Sequence, residues 1–131
     1  MSRPHFLQPL LRRSPGAVTL RNRRSGRPVA TTIETAFESS DRRRGLLGRD
    51  GLAPGHALII APTSLVHTFS MKFAIDIIFV ARDGRVRKVR RAVRPGRIAG
   101  AFGAFAVVEL AAGATDASET RAGDVLEVIT G

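Results

Sequence analysis

The sequence predicts an α+β domain, mostly antiparallel β, with a compact barrel-like sheet and one or two short helices. Three features carry that expectation. Short runs rich in β-branched and apolar residues recur along the chain, Gly, Pro and Asp-Gly signals separate them, and only one stretch carries the start and stop signals of a helix. At 131 residues with 44% apolar content, the chain suits one hydrophobic core and a single domain.

Taken in order, residues 1–16 are interrupted by Pro4, Pro9, Pro15 and Gly16 and read as a flexible basic arm, with the β-rich domain spanning 17–131. "AVTL" (17–20) and "PVATTIETAF" (28–37) read as strands joined by the turn-like "RNRRSGR". "SSDRRRGLLGR" (39–49) reads as a short helix, with Ser39 or Ser40 as N-cap, Asp41 in the first turn and Gly48 placed to end it. Pro54 and Gly55 break the chain before "ALIIAP" (57–62), a buried strand. "ARDGRV" (81–86) holds the Asp-Gly pair of a tight hairpin. Residues 94–104, rich in Gly, Ala and Pro, read as a loop. "FAVVEL" (105–110) is a strand, "TDASET" (115–120) a helical turn, and "DVLEVIT" (124–130) the last strand.

Composition narrows the function classes. The absence of cysteine removes disulfides, thiolate nucleophiles and thiolate-bound metal centres together. No stretch approaches the roughly 18 consecutive apolar residues that a membrane-spanning helix needs, and the first thirty residues lack the apolar segment of a secretory signal. A cytoplasmic location is the expectation. An acid-free, Arg-rich start is also one ingredient of a mitochondrial presequence, although its prolines argue against an amphipathic helix. The net charge of +10 is uneven: residues 1–33 hold seven arginines and no acid. Arg21, Arg23, Arg24 and Arg27, with Arg42, Arg43 and Arg44, therefore form a candidate phosphate-binding set, although no aromatic residues are interleaved to stack on bases.

The segment "HTFSMKFAIDIIF" (67–79) is unusual for carrying His67 at its start and Asp76 inside an apolar run. Strand alternation puts His67, Phe69, Met71, Phe73, Ile75, Ile77 and Phe79 on one face. Residues 67–80 exceed the usual strand length of about five or six, so a bend or bulge near Ala74 is expected. A carboxylate just past it must be hydrogen-bonded or paired, since leaving it buried alone costs several kcal/mol. Lys72 would lie roughly 13 Å away along a straight strand. A two-residue Asp83-Gly84 loop instead sets Asp76 opposite Arg91, and a bulged three-residue loop sets it opposite Arg90. A cross-strand Asp76–Arg91 ion pair is the resulting expectation. His67 reads either as a packed imidazole or as a cleft-lining proton carrier. Ser64, Thr68 and Ser70 lie nearby without a recognisable nucleophile frame. His56, His67 and Asp76 match no common metal spacing, so no metal or other cofactor is expected.

From Thr32 onward the chain resembles the bacterial and archaeal family known as domain of unknown function 192. "TIETA" followed by "RRRGLLGR" is similar to its opening strand and Gly-Leu-Met-Gly-Arg-type helix end. "HTFSMKFAIDIIFVARDGRV" resembles its centre, and "VVELAAG" and "RAGDVLEV" resemble its closing strand and turns. The chain departs from that pattern at Leu47, where methionine is usual, at Ala74, where proline is common, and at Phe73, where many relatives carry asparagine. The resemblance implies a compact, barrel-like, mostly antiparallel α+β domain and no particular reaction.

Three function classes follow. The leading one is a non-catalytic ligand- or peptide-binding module with a polar groove beside the central strand. Arg49, His67, Met71, Lys72 and Asp76 are its candidate ligand-binding residues, and the 94–104 loop is a flap. The second is a small hydrolytic enzyme using His67 and Asp76, which requires those side chains to converge. The third is weak nucleic-acid association through the N-terminal arginines.

Overall fold

The computed structural model describes residues 3–11 and 17–130. Its centre is a five-stranded sheet of β3 (Thr32–Ala36), β4 (His56–Ile60), β9 (Ala106–Ala111), β6 (Ile75–Val80) and β7 (Val86–Val93), in that spatial order. Only the β3–β4 pair of this sheet is parallel. Parallel neighbours need a long crossover. Residues 37–55 supply it, and they carry the short helix α2 (Ser39–Arg44) and Arg49 onto one face of the sheet. The expected α+β, mainly antiparallel architecture is therefore present, as stacked layers rather than a closed barrel, with β3 and β7 left as sheet edges.

Strand alternation divides the core in two. Ala57, Ile59, Ile78, Val80, Val108 and Leu110 face Leu20, Val29 and Leu126 from a second sheet of β10 (Leu126–Thr130), β1 (Val18–Asn22) and β2 (Pro28–Ala30). Leu58, Ile60, Ile75, Ile77, Phe79 and Val107 face the other way, toward Leu46, Met71 and Ala99. Ala99 belongs to a two-stranded ribbon of β5 (Leu65–His67) and β8 (Ile98–Gly100). Because both faces of the sheet are covered, all six residues of β6 are buried.

Several boundaries differ from expectation for local reasons. The run 67–80 is not one strand: β5 ends at His67, Ser70 has φ +63°, and β6 begins at Ile75. Thr68 fixes the break, its hydroxyl donating to the Arg94 carbonyl at 2.7 Å and accepting from the Arg97 amide at 2.9 Å. Residues 28–37 split into β2 and β3 because the Thr31 and Thr32 amides both turn to the Gly55 carbonyl. The 94–104 stretch contains β8, whose inward Ala99 is buried. Helix α2 is capped at Glu38 and ends at Gly45 (φ +47°), not at Gly48. A final short helix, α3 (Ala114–Ala117), matches the expected helical turn.

Residues 3–11, read from the sequence as part of an arm, pack onto the domain. They form the turn α1 (Gln8–Leu11), and Leu7 is fully buried beside Leu20 and Val80. The rest of that arm, 1–2 and 12–16, lies outside the described residues.

Candidate functional site

Asp76 is fully buried, and its partners are not arginines. One carboxylate oxygen accepts the Ala92 amide at 2.9 Å. The other accepts the amides of Gly113 (3.1 Å) and Thr115 (3.0 Å) and the Thr115 hydroxyl (2.7 Å). The expected Asp76–Arg91 pair is thus corrected: Arg91 Nε meets Asp116 Oδ1 at 3.0 Å, and Arg91 also donates to the Thr120 carbonyl. The expected register is met at the centre of the hairpin, with Ile77 opposite Arg90 and Ile78 opposite Val89, but its loop is the three residues 82–84 rather than two, and a bulge at Arg87 restores the pairing. A second bulge then sets both Arg91 and Ala92 against Asp76, and Ala92 turns to φ +49°, which aims its amide at the carboxylate. Asp76 therefore fastens β7 and the start of α3 to the central strand, with its acceptor capacity engaged.

Asp76 also points away from the other candidates. It shares a face with Ile78 and Val80, whereas Met71 packs among Ile75, Ile77 and Phe79 on the opposite face. Arg49 and Lys72 lie on Met71's side: Arg49 makes a two-pronged pair with Glu34 at 2.6 and 3.3 Å, and Lys72 Nζ lies 3.3 Å from Asp50. His67 is elsewhere again. It is exposed, stacks on Phe69 with ring centroids 5.1 Å apart, and lines a cleft of about 320 Å³ with Ser39, Arg42 and Arg43. Of the five sequence candidates, Arg49, Met71 and Lys72 lie on one side of the sheet, His67 is exposed on the β5–β8 ribbon that covers that side, and Asp76 points to the other. The convergence of His67 and Asp76 that a hydrolytic pair requires does not occur.

The sequence reading missed Glu109. Pairing across the sheet aligns Glu34, Leu58, Glu109, Ile77 and Arg90 in one row on the Met71 face. Glu109 is only 3% exposed, and among the described residues nothing hydrogen-bonds its carboxyl group. Its oxygens are not sealed off completely, because no fully buried side-chain oxygen lacks a partner. Burial pushes its pKa up to about 7, against the opposing pull of the Arg49 guanidinium. Glu34 moves the other way, its pKa lowered chiefly by the hydrogen bonds from Arg49. The signal in the sequence was the acid inside "FAVVEL", the same kind of anomaly as Asp76 inside "AIDIIF".

Four of the N-terminal arginines are already paired. Arg21 and Arg23 pair with Glu127 at 2.6 and 3.2 Å, Arg24 with Asp124 at 2.7 Å, and Arg27 with Glu119 at 2.6 Å. These bridges tie the β1–β2 hairpin to the C-terminal segment and set three acids against four arginines of the candidate phosphate-binding set, leaving Arg42 and Arg43 outside any ion pair among the described residues. Among the described residues no cluster of three or more His, Asp or Glu side chains could hold a metal ion, and no helix is long and apolar enough to cross a membrane.

Fold and site together define a small α+β domain in which, among the described residues, the buried Glu109 carboxyl group on the central sheet has no hydrogen-bond partner. The chain belongs to DUF192, the family described as uncharacterized ACR, whose model matches residues 20–128. It is similar to the crystal structure of a protein of unknown function from Novosphingobium aromaticivorans DSM 12444, with 27% identity and a TM-score of 0.73. That match covers 85% of this chain and 83% of the other. A candidate transcription regulator from Sinorhizobium meliloti 1021 shares the fold at 24% identity and a TM-score of 0.74, over 98% of each chain. No curated protein matches the chain.

Proposed function

We propose that the protein is a non-catalytic binding module that receives a small ligand or peptide on the sheet face carrying Arg49, Met71, Lys72 and Glu109. The observation that carries this reading is the Glu109 carboxyl group, buried on an apolar face without a hydrogen-bond partner among the described residues. A group in that position is costly to the fold unless something completes it. A ligand presenting an ammonium, amide or hydroxyl donor would do so, with Met71 and Phe73 offering apolar contact and Arg49 and Lys72 flanking charge. His67 and Asp76 of the original candidate set fall outside this site.

The polar groups support binding over catalysis. Among the described residues the one hydroxyl that bonds to a carboxylate is that of Thr115, on Asp76, and both residues are fully buried. The His67 Nδ1 atom accepts the Phe69 amide and meets no serine or threonine. No nucleophile–base pair is therefore assembled among the described residues.

Ligand-observed NMR of the full chain against small amines, amino acids, sugars and short peptides tests the reading. The expected result is a donor-bearing binder whose signal is weakened by Glu109→Gln and Arg49→Ala and kept by Asp116→Ala. A broad screen with no binder, while the chain gives a folded spectrum, removes it.

A further inference from the structure

A second surface lies at the β7 edge of the sheet. Arg85, Arg87 and Lys88 line an open cleft of about 550 Å³, closed on its far side by Gly100–Phe102 and by Ala122 and Gly123. Among the described residues no carboxylate lines it. The stretch 84–108 carries seven Arg and Lys residues and no acid; Arg91 pairs with Asp116, whereas Arg85, Arg87 and Lys88 form no ion pair among the described residues, unlike Arg21–Arg27.

Backbone geometry aims these cations. The β6–β7 ladder pairs Phe79 with Lys88 and Val80 with Val86, so Arg87 is an extra residue in a bulge. A bulge breaks strict alternation, letting Arg87 and Lys88 serve the same cleft although they are adjacent in sequence. Lys88 Nζ is held by the Gly100 carbonyl at 2.9 Å. The Arg87 guanidinium lies so close to Gly103 that a Cβ there would approach Nη2 to 2.8 Å, and among the described residues it forms no ion pair. Beside them Phe102 is 97% exposed, with its ring on the rim of the cleft.

We infer that the Arg85–Arg87–Lys88 cleft with Phe102 at its rim binds single-stranded nucleic acid, the cations taking backbone phosphates and Phe102 stacking on a base. A groove of like-signed cations beside a free aromatic ring is the arrangement that recognises single strands without sequence readout. Charge complementarity identifies a polyanion as the occupant. The concave cleft with its ring at the edge favours a strand threaded past the ring over a flat bilayer or an acidic protein surface. This surface is distinct from the Glu109 site and does not depend on it. It also differs from Arg21, Arg23, Arg24 and Arg27, which pair with C-terminal acids.

The experiment is fluorescence anisotropy of the full chain with labelled dT15 and rU15 across a salt series, alongside polyglutamate and vesicles containing phosphatidylserine. For Arg87→Ala/Lys88→Ala the slope of log affinity against log salt should fall by roughly 1.4, at about 0.7 per lost single-strand phosphate contact. Phe102→Ala should weaken binding about tenfold at fixed salt. The charge-matched Arg21→Ala/Arg23→Ala protein should keep the wild-type slope within half a unit, and all variants should keep the wild-type circular dichroism. The inference is overturned by absent binding, by equal losses in the two double variants, or by indifference to Phe102→Ala. Tighter binding to vesicles or polyglutamate than to either oligonucleotide would also overturn it, by assigning the cleft to a lipid surface or an acidic protein.

Discussion

Thr115 holds Asp76 twice: its amide, at 3.0 Å, and its hydroxyl, at 2.7 Å, donate to the same carboxylate oxygen inside the core. With the amides of Ala92 and Gly113, this joins three separate chain segments at one buried charge. Asp76→Ala would leave three backbone amides without their acceptor, that of Thr115 fully buried, and is expected to destabilise by about 3–5 kcal/mol, while Thr115→Val, losing one charge-assisted bond, should cost about 1.5–3 kcal/mol. Arg91→Ala breaks the pair to Asp116, a largely exposed residue, and the hydrogen bond to the Thr120 carbonyl, and should cost about 1 kcal/mol, well below Asp76→Ala. Urea unfolding of the three variants checks the order, and an Arg91→Ala loss matching that of Asp76→Ala would contradict it.

Ala92 adopts φ +49° in the bulge, a conformation that favours glycine, and it does so while its amide serves Asp76. Ala92→Gly relieves the Cβ clash and should be neutral to stabilising by up to about 1 kcal/mol. Ala92→Pro removes the donor and cannot take a positive φ, so it should destabilise by about 3 kcal/mol or more. Thermal melts of both variants provide the comparison.

Burial raises Glu109 to about 7 from an ordinary 4.5, so the folded chain keeps a proton that the unfolded chain has released. Its stability contribution is therefore most favourable below about pH 4.5, falls as pH rises toward about 7, and levels off above. The total loss should be about 3 kcal/mol, at roughly 1.4 kcal/mol per unit of raised pKa. Glu109→Gln, neutral throughout, should remove that slope and be the more stable protein at pH 8. His5, whose pKa is lowered chiefly by burial, gives an opposite trend near pH 6.5, but it is common to both proteins and cancels in the difference. Parallel urea titrations at half-unit pH steps test this, and identical profiles would show that Glu109 is not held in an apolar setting.

Leu7 is fully buried against the second sheet although it precedes the first strand. Leu7→Ala should cost about 2–5 kcal/mol, the range for emptying a core leucine site. A change below about 0.5 kcal/mol, the spread of surface substitutions, would mean that the segment around α1 contributes nothing to the core.

Much of the architecture was legible because it rests on local rules. The apolar runs "ALIIAP", "AIDIIFV" and "FAVVEL" announced the buried strands β4, β6 and β9, and Asp83-Gly84 set a hairpin whose central register was the expected one. The need for Asp76 to be satisfied was also readable, because burial of a charge in that run follows from its neighbours. Who satisfies it was not. The donors come from Gly113 and Thr115, more than thirty residues away in sequence, and from an Ala92 amide turned by a bulge that residue types alone do not specify.

The same division applies to the candidate sites. Composition placed seven arginines in residues 1–33, but only folding brings Glu119, Asp124 and Glu127 against four of them and leaves the effective positive charge at β7. Sequence determined which segments form strands, which chain positions carry buried acids, and the family to which the chain belongs. Tertiary structure decided which sheet face each acid occupies and whether it finds a partner, putting Asp76 under α3 with four donors and Glu109 on the Met71 face with none among the described residues. The physical reason is that strand propensity is a property of neighbours along the chain, whereas the satisfaction of a buried charge is a property of whatever the fold packs against it.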